Sequence, residues 1–165
     1  MTHVRYIDRT REYYLSQGYE KPYAWSENDQ APFTPLTKPL SESNVGLLTT
    51  SELAVRYDAD REANPIEETG FRSVYSIPAD TPLERFYART ASFDTYATTL
   101  DDVNGFFPVA RAREAVADGR IGTMPSSYYG AYNNYSRRKV LEEEAPDALN
   151  MMREDNVDAA ILVPV

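Results

Sequence analysis

The sequence predicts an α/β domain built on an open, mostly parallel sheet. Three observations carry that prediction. Residues 159–163 read Ala-Ala-Ile-Leu-Val, an uninterrupted apolar run of the kind that forms a strand buried on both faces. Residues 44–50 read Asn-Val-Gly-Leu-Leu-Thr-Thr, a second apolar run, closed by two hydroxyls. Between them, residues 108–119 and 136–155 carry apolar side chains at helical spacing. Strand, helix and strand in that order make residues 45–48 and 160–163 parallel neighbours.

Each element follows from local signals. Residues 3–17 place Val4, Ile7, Tyr14 and Leu15 at roughly helical spacing, and Gly18 stops the pattern. Residues 22–39 hold Pro22, Pro32, Pro35 and Pro39 with Tyr23, Trp25 and Phe33 between them. Proline removes a backbone donor and fixes φ, so this stretch reads as an extended arm that wraps the domain or reaches a partner. Residues 1–43 are thus a helix and arm, and residues 44–165 the domain proper. The acidic residues 52–69 lack periodicity and read as a surface loop. Residues 71–77 alternate as a half-buried strand closed by Pro78. Asp80 to Glu84 is a turn or helix start with Pro82 near its first position, and a short strand is expected within residues 86–91.

The clearest helix is 108–119, where Val109, Ala112, Ala115 and Val116 share a face and Gly119 ends it. Tyr128, Tyr129, Tyr132 and Tyr135 form a cluster read as a lid over a core edge, or as a binding surface. Residues 136–155 are helical with Val140, Leu141, Leu149 and Met152 inward and Glu142, Glu143 and Glu144 outward; Pro146 kinks this helix or begins a second one. The whole is Rossmann-like in outline, and incomplete in this chain, because the strand at 159–163 has no following helix to cover it.

Composition excludes several function classes. The chain has 165 residues, enough for one domain with a sizeable core. A net charge of −9 opposes a nucleic-acid face and an anionic membrane surface. No apolar stretch reaches the ~18 residues that span a bilayer. The opening MTHVRYIDRTREYY has no signal-peptide core, so a cytoplasmic location is expected. There is no cysteine, hence no disulfide, thiolate nucleophile or cysteine metal ligand in the chain. The one histidine, His3, reads as a solvated terminal residue. Phosphate-loop and GxSxG motifs are absent, and no carboxylates are spaced as an acid–base pair. No metal-binding or cofactor-binding residue is expected here. On residue pattern alone the chain is an acidic α/β domain without a catalytic signature.

Four phrases in order change that reading: NVGLLTT, FRSVYSIPADTPL, SFDTYATTLDDVNGFFPVARAREAVADGRIG and EEEAPDALNMMREDNVDAAILVPV. Together they resemble the selenoprotein B family of glycine/sarcosine/betaine reductase and D-proline reductase, over roughly residues 44–165. The run 102–122 and the closing strand are the most specific parts. The resemblance implies an oxidoreductase that cleaves a C–N bond of an amino acid or N-methylated derivative reductively, with a disulfide as the oxidised partner. It implies partner subunits, a small amino-acid-like substrate, and a thiol–disulfide reductant.

In such proteins the strand ending Val-Pro-Val leads into a redox loop of selenocysteine or cysteine followed by cysteine. Selenocysteine is encoded by UGA, which is read as a stop. Val165 is therefore expected to precede such a codon, with the chain the N-terminal part of a longer selenoprotein and inactive by itself. No catalytic residue is expected within it. Thr49 and Thr50, at the end of a strand parallel to 160–163, are expected beside that loop. By the resemblance, Arg72, Asp94, Asn104 and Arg111 are further pocket candidates, with Pro78, Asp80, Asp102, Phe107 and Pro108 at matching positions. The bland alternatives are a helix cap for Asp80, a turn position for Asn104 and a helix surface for Arg111. One departure stands out: relatives often carry histidine just before the aspartate, where this chain reads Arg89-Thr90-Ala91-Ser92-Phe93-Asp94. The alternative function is a complete but non-catalytic binding or assembly subunit of such a reductase.

Overall fold

The computed structural model describes residues 5–24, 29–58, 61–63, 73–90, 93, 96, 99–132 and 136–165. The chain divides into two units, Met1–Thr34 and Pro35–Val165. The first holds helix α1 (Tyr6–Ser16), whose Arg5–Asp8 ion pair of 3.3 Å lies across its first turn. No residue of α1 is buried, and Tyr14 meets the rings of Tyr19 and Tyr23 at centroid distances of 5.2 Å each. The described residues of 22–39 form neither helix nor strand, as their prolines require. His3, Val4 and Trp25 lie outside the described residues.

In chain order the second unit runs β1 (Val45–Thr49), β2 (Leu53–Asp58), β3 (Arg61–Ala63), β4 (Val74–Pro78) and β5 (Phe86–Ala88). Helices α2 (Val103–Phe106) and α3 (Val109–Ala117) follow, then β6 (Ser127–Ala131). A short α4 (Arg137–Lys139), a π-helical turn (Val140–Glu144) and α5 (Ala145–Glu154) lead to β7 (Ala159–Val163). Four strands make the main sheet in the order β4-β6-β1-β7, and three make a small antiparallel sheet, β3-β2-β5. β1 is parallel to β6 and to β7, whereas β4 is antiparallel to β6. The sheet is thus mixed but mostly parallel, and the α/β expectation holds. The parallel pairing of β1 with β7, Leu47 opposite Ile161 and Leu48 opposite Leu162, also holds.

Successive residues of a strand face opposite sides, and β1 shows what that does here. Leu47 joins Tyr75, Ile77, Tyr128, Val109 and Ala112 in the larger apolar cluster, so α3 covers one face. Its neighbour Leu48 joins Tyr129 and Met152 on the other face, under α5. Each large side chain fully buried in this way contributes about 1.5–3 kcal/mol. Gly119, at φ +70°, ends α3 in a left-handed conformation that only glycine adopts cheaply. Gly130 in β6 lies against the ring of Tyr75, its register partner on β4, so close that a Cβ would overlap the ring. Pro146 sits in the first turn of α5, directly after the π-helical turn, and the backbone stays helical from Arg137 to Glu154, so the proline is accommodated by that wider turn and does not separate two helices.

Several expectations are overturned. Residues 52–69 are not simply a loop: Leu53, Ala54 and Val55 are buried, and β2 pairs with β5 and β3. Three apolar residues ahead of an acidic stretch suffice for a strand once Phe86–Ala88 lies alongside. The tyrosines are not a lid, because Tyr128 and Tyr129 sit buried in an inner strand of the sheet. Tyr132 is half exposed, and Tyr135 lies outside the described residues. β7 is not buried on both faces: it stands at the sheet edge with Ile161 44% and Leu162 66% exposed. Glu144 does not share the solvated face of Glu142 and Glu143 but is only 6% exposed. One wider π turn shifts the side-chain phase and brings it inward. Leu141, expected inward, is 60% exposed by the same shift. Among the described residues no helix is long and apolar enough to cross a membrane.

Candidate functional site

The three mutually parallel strands β1, β6 and β7 end together, and in open α/β sheets the carboxyl ends of the strands are where ligands bind. Thr49 and Thr50, Ala131 and Tyr132, and Val163 to Val165 meet there. Parallel pairing carries on one residue past β1, since the Thr50 amide donates to the Val163 carbonyl at 3.2 Å. The Val165 amide then donates to Thr50 Oγ1 at 3.0 Å, and that oxygen lies 3.5 Å from the Val165 carbonyl oxygen. A half-buried threonine thereby fastens the segment leaving β7.

Thr49 faces the other way and is fully buried. Its hydroxyl lies 2.9 Å from the Phe106 carbonyl oxygen and 3.1 Å from the Ser51 hydroxyl, and it accepts from the Ser51 amide at 3.1 Å. This bond ties the end of β1 to the end of α2. Glu52, three residues beyond Thr49, holds φ +54°, an unusual value for a residue with a side chain.

Asn104 organises the same corner. Asp102 caps α2 by accepting the Asn104 amide at 2.9 Å, and Asn104 Oδ1 accepts the Ala110 amide at 3.1 Å in the first turn of α3. The Asn104 side-chain Nδ2 also donates to Asp102 Oδ1 at 3.2 Å. The Phe106 carbonyl thus links Thr49 to the helix that carries Asn104. Arg111 is placed differently: it is an exposed side chain on α3, paired with Glu114 at 2.8 Å. Asp80 occupies an exposed turn after β4. Arg72 and Asp94 lie outside the described residues.

Sequence reasoning passed over Arg113. Its Nε donates to the Tyr128 hydroxyl at 3.1 Å and its Nη2 to the Ala79 carbonyl at 2.9 Å, joining α3 to β6 and to the turn after β4. The available signal was its place in Arg-Ala-Arg: residues two apart point to different sides of a helix, so Arg111 and Arg113 cannot share a role. Also missed was the polar seam at the amino end of β7. The Tyr129 hydroxyl donates to Asp155 Oδ2 at 2.6 Å, while the Asn44 amide and Lys38 Nζ both reach Asp158 Oδ2 at 2.7 Å. Burial first, and then the bond to Asp155, push the Tyr129 phenol well above the usual tyrosine range. The Asn44 amide first, and then Lys38, hold Asp158 below the usual carboxylate range.

Among the described residues the site therefore supplies hydroxyls and a fastened exit from β7, but no nucleophile stronger than a hydroxyl. Among the described residues no group of three His, Cys, Asp or Glu could hold a metal ion. No family model matches the chain, and no solved structure does either. The chain is 27% identical over 131 residues to D-proline reductase subunit gamma of Acetoanaerobium sticklandii, covering 79% of this chain and 52% of that protein. It is 26% identical over 136 residues to glycine reductase complex component B subunit gamma of Carboxydothermus hydrogenoformans, covering 81% of this chain and 31% of that protein. The chain thus spans about half the length of one relative and a third of the other. The relatives that bear out the resemblance read from its motifs are the gamma subunits of D-proline reductase and of glycine reductase component B.

Proposed function

We propose that this chain is the N-terminal part of a gamma-type subunit of a reductase complex related to glycine/sarcosine/betaine and D-proline reductases. In this reading its Rossmann-like sheet carries a redox loop that leaves β7. The similarity to two reductase subunits over about four fifths of the chain is the observation that carries the proposal. The fastening of Val165 by Thr50, at the edge where α/β sheets do their chemistry, supports it.

The reaction is reductive cleavage of a C–N bond in an amino acid or N-methylated derivative. The bond takes up two electrons and two protons, the nitrogen is freed as ammonia or an amine (still tethered where the substrate is a ring), and the carbon gains a hydrogen. A dithiol supplies both and becomes a disulfide. A selenolate is the nucleophile, because a selenol ionises more readily than a thiol of pKa ~8.5 and needs no partnering histidine. A selenocysteine–cysteine loop would supply that nucleophile and would pass on the two electrons of the dithiol, whose thiols end as a disulfide. Within this chain, Thr50 sets where the loop begins, and Thr49 and Asn104 hold the corner against which it lies. Partner subunits complete the assembly, in cytoplasm.

The test is to read the DNA after the Val165 codon and then assay the encoded protein. A UGA followed by an open frame with a cysteine within a few codons, and dithiol-dependent release of ammonia or an amine from glycine, sarcosine or betaine, or ring opening of D-proline to an ω-amino acid, is the expected result. A UAA or UAG with no further frame overturns it. The lack of any cysteine would then favour a non-catalytic assembly subunit.

A further inference from the structure

We propose that the cavity between α5 and the sheet is a binding site for a small apolar amine, an ammonium group on a hydrocarbon body. The cavity holds about 380 Å³ and is walled by Leu48, Val74 and Leu162 from the sheet and by Leu149 and Met152 from α5. Its size is that of a ligand pocket, and it is about two and a half times the ~150 Å³ apolar cavity that takes one benzene. A body of roughly ten to fifteen heavy atoms fills it.

Polarity in the lining is sparse and one-sided. Glu144 closes the π-helical turn, is 6% exposed and is among the residues that line the cavity. Thr50 and Tyr132 lie at the end where the parallel strands stop. Among the described residues no arginine, lysine or histidine lines the cavity. Glu144 already has a contact inside the protein. Its carboxylate offers about four acceptor positions, so an ammonium adds to that contact without replacing it. A ligand carboxylate would instead lie beside a carboxylate in an apolar wall, where like charges repel strongly. The chain's net charge of −9 favours the cation further. This inference stands apart from the reductase reading: the amino-acid substrates of that reading carry a carboxylate, which the cavity disfavours.

Three probes of equal bulk separate the contributions: 4-phenylbutylamine, 4-phenylbutanol and 4-phenylbutyrate, titrated calorimetrically into the full chain at pH 7. The amine is expected to bind at least tenfold more tightly than the alcohol, with the carboxylate weakest. Glu144→Gln should bring the amine down to the alcohol's affinity and leave the alcohol unchanged. Leu149→Trp, at a half-exposed rim position, should weaken amine and alcohol at least tenfold without lowering the melting temperature. The ranking in the unsubstituted chain decides the question even where Glu144→Gln fails to fold. Equal binding of amine and carboxylate, or no binding at millimolar probe, overturns the proposal. So does self-association of the chain that Leu149→Trp abolishes, which would make the cavity a docking face for polypeptide.

Discussion

The Val165 amide donates to the Thr50 hydroxyl at 3.0 Å, so the segment leaving β7 is fastened to the residue that follows β1. Thr49, one position earlier, turns its hydroxyl to the Phe106 carbonyl at 2.9 Å. Adjacent threonines thus serve opposite faces of the sheet, one holding the exit of an edge strand and the other the end of α2.

That division predicts opposite outcomes for two equivalent substitutions. Thr49→Val keeps the shape but leaves a buried carbonyl short of a partner, at a cost of about 1–3 kcal/mol in urea unfolding. Thr50→Val is half-buried and should change stability by less than about 1 kcal/mol. Its effect should appear in hydrogen exchange, as faster exchange of the Val165 amide with the β1 amides unchanged. If Thr50→Val proves the costlier, the assignment of roles is reversed.

Gly130 and Tyr75 give a second prediction. The tyrosine ring lies over the glycine and is pinned by its hydroxyl, which donates to the Leu53 carbonyl at 2.8 Å. A methyl at Gly130 has nowhere to go unless the ring moves and that bond breaks, so Gly130→Ala should cost about 3 kcal/mol. Combined with Tyr75→Leu, which removes the ring, Gly130→Ala should cost much less than it does alone. Additive effects in that double-mutant cycle would mean that the ring and the glycine do not oppose each other.

How much of this was legible depended on whether the deciding partner lay nearby in sequence. β1, β7 and α3 could be read because apolar runs and helical spacing are local. β6 could not: Ser-Tyr-Tyr-Gly-Ala looks like a surface segment until Arg113 and Asp155 supply partners for the two hydroxyls and Tyr75 requires the glycine. β2 was hidden by averaging Leu53-Ala54-Val55 with the acidic residues behind them. At the site, Thr49 and Thr50 were legible as the end of a strand, but their opposite duties follow from α2 and β7. Glu144 turned inward through a π turn, which residue spacing does not announce.

Tyr129 carries an alkaline prediction. Burial and its bond to Asp155 favour the neutral phenol in the folded chain. The stability this contributes is fully present below the ordinary tyrosine value near ~10 and is lost as pH rises beyond it. Tyr129→Phe should cost about 1.5 kcal/mol at pH 7 and flatten the fall in stability above about pH 10. Tyr75, also raised by burial, leaves part of that fall in place. An unchanged alkaline arm in Tyr129→Phe, measured by urea midpoints from pH 8 upward, would place the ionising group elsewhere.

Asp158 carries the acid counterpart. Its Oδ2 accepts the Asn44 amide and Lys38 Nζ, each at 2.7 Å, and the carboxylate form is favoured by folding. For a depressed carboxyl the contribution is present above the ordinary aspartate value near ~3.9 and is lost as pH falls through the lowered one. Asp158→Asn should therefore be less stable than the unsubstituted chain at pH 7, with the gap closing as pH drops below about 4. Lys38→Met distinguishes the two causes. Because the Asn44 amide is the larger, Lys38→Met should keep most of the acid dependence and lose mainly its sensitivity to salt. Should Lys38→Met abolish the acid dependence as fully as Asp158→Asn does, the lysine rather than the backbone amide holds the carboxylate ionised. The join between β1 and β7 would then rest on a surface ion pair, weakened by salt at neutral pH.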